Sequence, residues 1–259
     1  MLEAHTKIID FIRSLYPGIH PVPLHAPVFL GNEKKYLEDC INTTFVSYVG
    51  KYVTQFEEQI ATFTGARYAV AMMNGTTALQ IALQLAGVER GNEVITQALS
   101  FVATANAISH AGGIPVFIDV DTDTLGMSPE KLRVWLELNS KIDEKTGQCI
   151  NKTSGNTISA IIPMHTFGHP CRIVEIIEVA DEYGIQVIED AAESLGSYYR
   201  GKHTGTFGLL GILSFNGNKT ITAGGGGMLI TDNEQLASHA KHITTTAKVP
   251  HPWEFVQDE

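Results

Sequence analysis

From about residue 65 onward the chain alternates short apolar runs with stretches whose apolar residues recur every three or four positions. The runs predict strands over 68–73, 93–97, 115–119, 159–164, 185–190, 212–215 and 227–231. The longer periodicity predicts helices over 76–86, 103–111, 129–138 and 172–183. Near-continuous apolar strands separated by helices predict an α/β fold, with a mostly parallel seven-stranded sheet covered on both faces. Only residues 216–226 separate the last two strands. A parallel crossover needs about a dozen residues or more, so the final strand is expected to run antiparallel to its neighbour. Residues 5–15, 32–41 and 53–63 carry helical spacing without intervening strands. The chain is therefore divided into an N-terminal helical segment (1–64), a large α/β domain (65–240) and the start of a connection (241–259). The polar stretch 139–157 is expected to be an exposed loop insertion.

Charge removes several partner classes. The 28 acidic residues outnumber the 18 basic ones, giving a formal charge of -10 without any Lys/Arg-rich run. Nucleic acid and anionic membrane surfaces are not expected partners. No apolar stretch approaches the length of a membrane span, and the acidic start "MLEAHTKIIDFIRSLYPG" does not read as a signal peptide. Cys40, Cys149 and Cys171 are scattered, which fits a reducing cytoplasm and offers no metal-binding spacing.

In open parallel sheets, ligands bind beyond the carboxyl ends of the strands, so the residues following each run carry the chemistry. After the first comes "NGTTAL" (74–79), where Gly75, Thr76 and Thr77 open a helix and could hold a phosphate; a plain helix cap is the alternative. Phe101 sits at the next strand-to-helix corner, as a ligand-facing ring or a core aromatic. Asp190 closes the fifth run as a helix cap or a ligand-binding carboxylate; if buried, it needs a partner. In "SFNGNKTITAGGGGML" (214–229), Lys219 follows Ser214 by five residues and precedes four consecutive glycines. A phosphate cradle, a ring-stacking aromatic, a carboxylate and a lysine together meet the needs of pyridoxal 5′-phosphate.

The blocks "NGTTALQIAL", "SFVATANAI", "PVFIDVD", "EDAAESLGSYYRGKHTGTFG" and "LSFNGNKTITAGGGGML" resemble, in order, those of the DegT/DnrJ/EryC1/StrS sugar aminotransferases. The resemblance runs from about residue 26 to the end, and it implies the fold type I architecture of aspartate aminotransferase. It also implies that Lys219 bonds the cofactor aldehyde and carries a proton, while Asp190 pairs with the pyridinium nitrogen. Phe101 then lies against the ring, and Gly75, Thr76, Thr77 and Ser214 hold the phosphate. Glu193, where many members have glutamine, falls near the ring's 3-hydroxyl, and His165 in "MHTFGHP" takes a supporting place or is a structural histidine. The implied reaction passes an amino group, from L-glutamate, to a nucleotide-linked 4-keto-6-deoxy sugar, in a homodimer. "EDAAESLGS" and "PVPLHAPVFLGNEKKYLEDCI" look closest to the branch serving legionaminic-acid-type sugars. A sugar dehydratase using pyridoxamine phosphate has histidine in place of the lysine, and a non-catalytic relative would lack the lysine or the carboxylate. Chains of this family continue beyond a stretch like "HITTTAKVPHPWEFVQDE", so a small C-terminal domain is expected to be missing here.

Overall fold

The computed structural model describes residues 2–48, 50–249, 253–254 and 256–258. Its central sheet contains the seven expected strands: β1 (Tyr68–Met72), β2 (Glu93–Gln97), β3 (Ile114–Ile118), β4 (Ile158–Ile162), β5 (Gln186–Asp190), β6 (Leu210–Ser214) and β7 (Gly227–Thr231). Their spatial order is β1-β7-β6-β5-β4-β2-β3. Strands β6, β5, β4, β2 and β3 pair in parallel. Strand β7 runs antiparallel to both β6 and β1, as the short connection before it requires.

The helices are α1 (Leu2–Leu15), α2 (Glu33–Thr43), α3 (Lys51–Thr64), α4 (Gly75–Leu85), α5 (Val102–His110), α6 (Pro129–Asn139), α7 (Ile173–Glu182) and α8 (Glu234–Thr244). Side chains alternate across a strand, so neighbouring residues serve opposite layers. Val70, Ile188, Ile212 and Leu229 face α4, α5 and α8. Ile95, Ile161 and Val187 instead meet α6 and α7, while Leu213, Met228 and Ile230 pack toward Ile60 of α3. Each such side chain contributes roughly 1.5–3 kcal/mol when fully buried. Both faces are covered, which is why the strands read as apolar throughout.

Two elements depart from the sequence expectation. Helix α8 was not foreseen, although its signals are present. Asn233 caps it by accepting from Leu236 N–H at 3.1 Å, Glu234 opens it, and Lys241 and His242 close it. The stretch 139–157 is not a loose loop: Ser140–Ile142 and Cys149–Asn151 form an antiparallel hairpin. A buried carboxylate anchors it. Glu93 accepts from Asn151 Nδ2 at 2.7 Å and from Ser154 Oγ at 2.6 Å.

On the N-terminal side, α1 exposes Ile8, Phe11, Ile12 and Leu15. Within the expected connection 241–259, Lys248–Val249 pairs with Val256–Gln257, and residues 250–252, 255 and 259 lie outside the described residues. Among the described residues, no helix is long and apolar enough to cross a membrane.

Glu93→Ala should leave the Asn151 amide and the Ser154 hydroxyl without their acceptor. We expect a loss of about 1–3 kcal/mol in denaturant unfolding, with faster amide hydrogen exchange confined to 140–157. Unchanged exchange in the hairpin would show that Glu93 is not its anchor.

Candidate active site

One edge of the sheet gathers the ends of β5 and β6 and the starts of α4 and α5. Between them lies a cleft of about 290 Å³, bordered by Gly75, Thr76, Phe101, Asp190, Glu193, Ser214 and Lys219. Seven of the sequence-predicted residues therefore share one cavity. Thr77 does not border it. Its backbone N–H is taken by the Asn74 side chain, which caps α4 at 2.8 Å.

The helix start is left with Gly75 and Thr76 facing the cleft, and the Ser214 side chain lies close by. A Cβ on Gly75 would stand 3.2 Å from Ser214 Cβ, so the absence of a side chain lets strand end and helix start approach. The glycine run serves the same closeness. A Cβ on Gly227 would fall 2.4 Å from the carbonyl carbon and oxygen of Asn74, and Gly226 takes φ +123°. Only glycine accepts both conditions. The first turn of α4 can then present N–H groups and the Thr76 hydroxyl to an anion, with its positive dipole end behind them.

Asp190 forms the opposite wall. Strand alternation turns it toward α5, where Thr104 Oγ1 donates to Oδ2 at 2.7 Å and Ala192 N–H donates to Oδ1 at 3.2 Å. It is 3% exposed, and burial pushes its carboxyl above the usual carboxylate range, against those two donors and the nearby Lys219. A buried acid of this kind favours a cationic or N–H-bearing ligand atom in front of it.

Lys219 Nζ lies between the aromatic and acidic sides. It stands 5.9 Å from the Phe101 ring centroid and 3.5 Å from Glu193 Oε1. Phe101 caps no bond with its side chain; its ring is 61% exposed at the head of α5, which excludes the core-aromatic alternative. Glu193 also accepts from Phe167 N–H at 2.9 Å.

His165 lies behind this layer and does not touch the cleft. Its Nε2 pairs with Glu189 Oε2 at 2.9 Å, and its Nδ1 accepts from Cys171 N–H at 3.2 Å. Glu189 further accepts from the N–H groups of Gly205, Phe207 and Gly208. Burial opposes its ionisation, but His165 and these donors outweigh that and hold its carboxyl below the ordinary range. Sequence reasoning missed Asn74, Thr104 and Glu189 as supports. Asn74 was legible as a cap before "GTTAL", whereas Thr104 carried no local signal. No group of three or more potential metal ligands occurs among the described residues.

A helix start open to an anion, a buried acid and a lysine beside an exposed ring thus share one cleft. The chain belongs to the DegT/DnrJ/EryC1/StrS aminotransferase family, whose profile matches residues 30–258. It is 38% identical over 222 residues to the GDP-perosamine synthase of Escherichia coli, covering 86% of this chain and 56% of that protein. An aminotransferase structure from Psychrobacter cryohalolentis superposes with TM-score 0.77 at 30% identity, over 90% of this chain and 57% of the other. The E. coli GDP-4-keto-6-deoxy-D-mannose-3-dehydratase, with bound hydrated PLP, gives TM-score 0.71 at 26% identity, over 87% and 54%. The chain thus spans little more than half the length of the relatives it matches.

The burial of Asp190 has a measurable sign. Its folded-state pKa is raised, so its contribution to stability is full below the unfolded value of about 3.9 and is lost as pH rises through the folded value. Asp190→Asn has no such proton to lose. In thermal melts of ligand-free protein between pH 4 and 8, the variant should gain on the wild type as pH increases. A constant difference across that range would contradict the buried-charge account.

Proposed function

We propose that this chain holds the cofactor of a pyridoxal-phosphate-dependent aminotransferase. The proposed reaction moves an amino group from L-glutamate to the keto carbon of a nucleotide-linked 4-keto-6-deoxy sugar. The observation that carries this is the meeting of Lys219, Asp190, Phe101 and the α4 start around one cleft. The residues fit pyridoxal phosphate on three counts. The α4 start suits its phosphate, the buried Asp190 suits a protonated ring nitrogen, and Lys219 is within the same cavity as both.

When bound, the cofactor supplies an aldehyde that captures amines and a ring that withdraws electrons from the adjoining carbon. The protein's own groups do the rest. Gly75, Thr76 and Ser214 bind the phosphate, with Thr77 supporting them through the first turn. Phe101 covers one ring face and excludes water. Asp190 keeps a proton on the ring nitrogen, since a carboxylate this buried gains most when a positive charge faces it. Glu193 offers acceptors toward the ring's 3-hydroxyl, where an amide would offer both an acceptor and a donor. Lys219 Nζ would hold the cofactor's aldehyde and, as a free amine, would serve as the base that carries the proton from the donor's α carbon. His165 acts at a distance, its ring paired with Glu189 and its backbone N–H donating to the backbone carbonyl of Asp190 at 3.1 Å.

The lysine amine beside Glu193 favours transamination over dehydration, although a dehydratase shares this fold. We further infer a homodimer. The apolar side chains exposed on α1, together with Phe45 and Val46 after α2, support a surface that is covered in the working protein. The motifs "EDAAESLGS" and "PVPLHAPVFLGNEKKYLEDCI" support a product destined for surface polysaccharide or a legionaminic-acid-type sugar, made in the cytoplasm.

The test begins with colour. Protein loaded with pyridoxal phosphate should absorb in the near-visible, lose that band on borohydride reduction, and bleach with L-glutamate. Lys219→Ala should show neither the reducible band nor bleaching, with turnover lowered by at least about a thousandfold. A variant with wild-type absorbance and turnover would defeat the assignment of Lys219.

A further inference from the structure

Phe167 stands on the site's rim and is left unused by the chemistry above. It follows His165 in a turn beyond β4 and adopts φ 54°, ψ 25°, in the left-handed region. A bulky residue held there costs about 1–3 kcal/mol, and glycine would adopt the same conformation freely. The ring does not recover this by packing, because Phe167 is 73% exposed. Nor is the turn loose. Gln97 Nε2 donates to Thr166 Oγ1 at 2.9 Å, Thr166 Oγ1 donates to Leu125 O at 2.9 Å, and Ser197 Oγ donates to Gly168 O at 2.7 Å. Glu193 accepts the Phe167 N–H itself. A strained, rigid backbone thus presents a solvent-exposed aromatic ring.

What it faces is specific. Phe167, Glu193, Asn218, Lys219 and Thr220 enclose a hollow of about 200 Å³, which shares Glu193, Asn218 and Lys219 with the larger cleft. The hollow combines one apolar ring with a carboxamide and a hydroxyl. Its charges are a single acid and a single lysine. A dicarboxylate such as L-glutamate finds no second cation there, and Glu193 repels it. A hexose ring meets the same lining well: its C–H face covers the phenyl ring, and its hydroxyls reach amide and hydroxyl partners.

We propose that Phe167 is a substrate-contacting residue, on which the pyranose ring of the keto-sugar acceptor stacks as its carbonyl approaches Lys219. This rests on the aminotransferase reading given above. It assigns Phe167 to the sugar half of the reaction and not to the amino-acid half.

The two halves can be measured separately by absorbance in the holoenzyme. L-glutamate bleaches the near-visible band, and a panel of GDP-, TDP- and UDP-linked 4-keto-6-deoxyhexoses is then tested for its return. With whichever sugar restores the wild-type band, Phe167→Ala should need about tenfold more sugar for half-maximal rate. Its initial band and its bleaching by L-glutamate should match the wild type. Phe167→Tyr, which keeps the ring, should stay within about threefold of the wild type. Phe167→Gly, which removes both ring and strain, should behave as Phe167→Ala.

Unchanged sugar dependence in Phe167→Ala would overturn the assignment, as would equal losses in both halves. Recovery in Phe167→Gly would overturn it too, because backbone conformation and not the ring would then matter. A bleached wild type that no keto-sugar restores also counts against a sugar site here. Failure of the aminotransferase reading itself is distinguishable, because the wild type would then not bleach before any sugar is added.

Discussion

Two adjacent acids at the end of one strand cannot face the same way. The twofold repeat of an extended chain sends Glu189 and Asp190 to opposite sides of the sheet, and most of the site follows from that division. Glu189 turns to the α6 and α7 layer, where His165 and three backbone donors neutralise it and hold the 205–208 segment against the sheet. Asp190 turns to the α4 and α5 layer and becomes the wall of the cleft. One carboxylate is satisfied by the protein, the other only in part. That inequality marks which of the two is available to a ligand.

The glycine run solves a second geometric problem on the same edge. Strand β7 lies between β1 and β6 and would, with ordinary side chains, hold the Asn74–Gly75 backbone away from Ser214. Without a Cβ at Gly227, the backbones touch, and the helix start, the β6 end and the lysine-bearing loop converge. The antiparallel direction of β7 is part of this. Because β7 starts at the same edge where β6 ends, the connection never crosses the sheet, and a short loop can carry Lys219 over the cleft.

Much of this was legible because the decisive residues sit at strand ends, where apolar runs stop abruptly. Lys219, Asp190, Ser214, Phe101 and Gly75 all announced themselves that way. Thr104 did not, because "VATANA" reads as ordinary helix and its partner lies 86 residues away. Thr77 stands among the expected phosphate ligands through the "NGTTAL" motif and the family resemblance, and in the fold its backbone N–H is taken by Asn74. The hairpin within 139–157 was hidden because its anchor, Glu93, belongs to a distant strand and looked like a strand terminus. Phe167 carries no local signal either: its left-handed turn is held by partners far along the chain, Glu193 among them, 26 residues later. Local pattern gave the elements; long-range polar contacts had to be seen.

The incompletely matched Asp190 also bears on the life of the protein in a cell. A native state that places a cation against a buried carboxylate is held together more firmly than the same chain without it. Whatever binds only the native form shifts the folding balance by mass action. Quality-control proteases act on the unfolded fraction, so a difference of only about 1–2 kcal/mol changes steady-state abundance several-fold. On the proposed reading, scarcity of the vitamin-derived cofactor would therefore thin out the enzyme as well as idle it. Supply and catalyst would fall together, through one buried oxygen pair at the end of a strand.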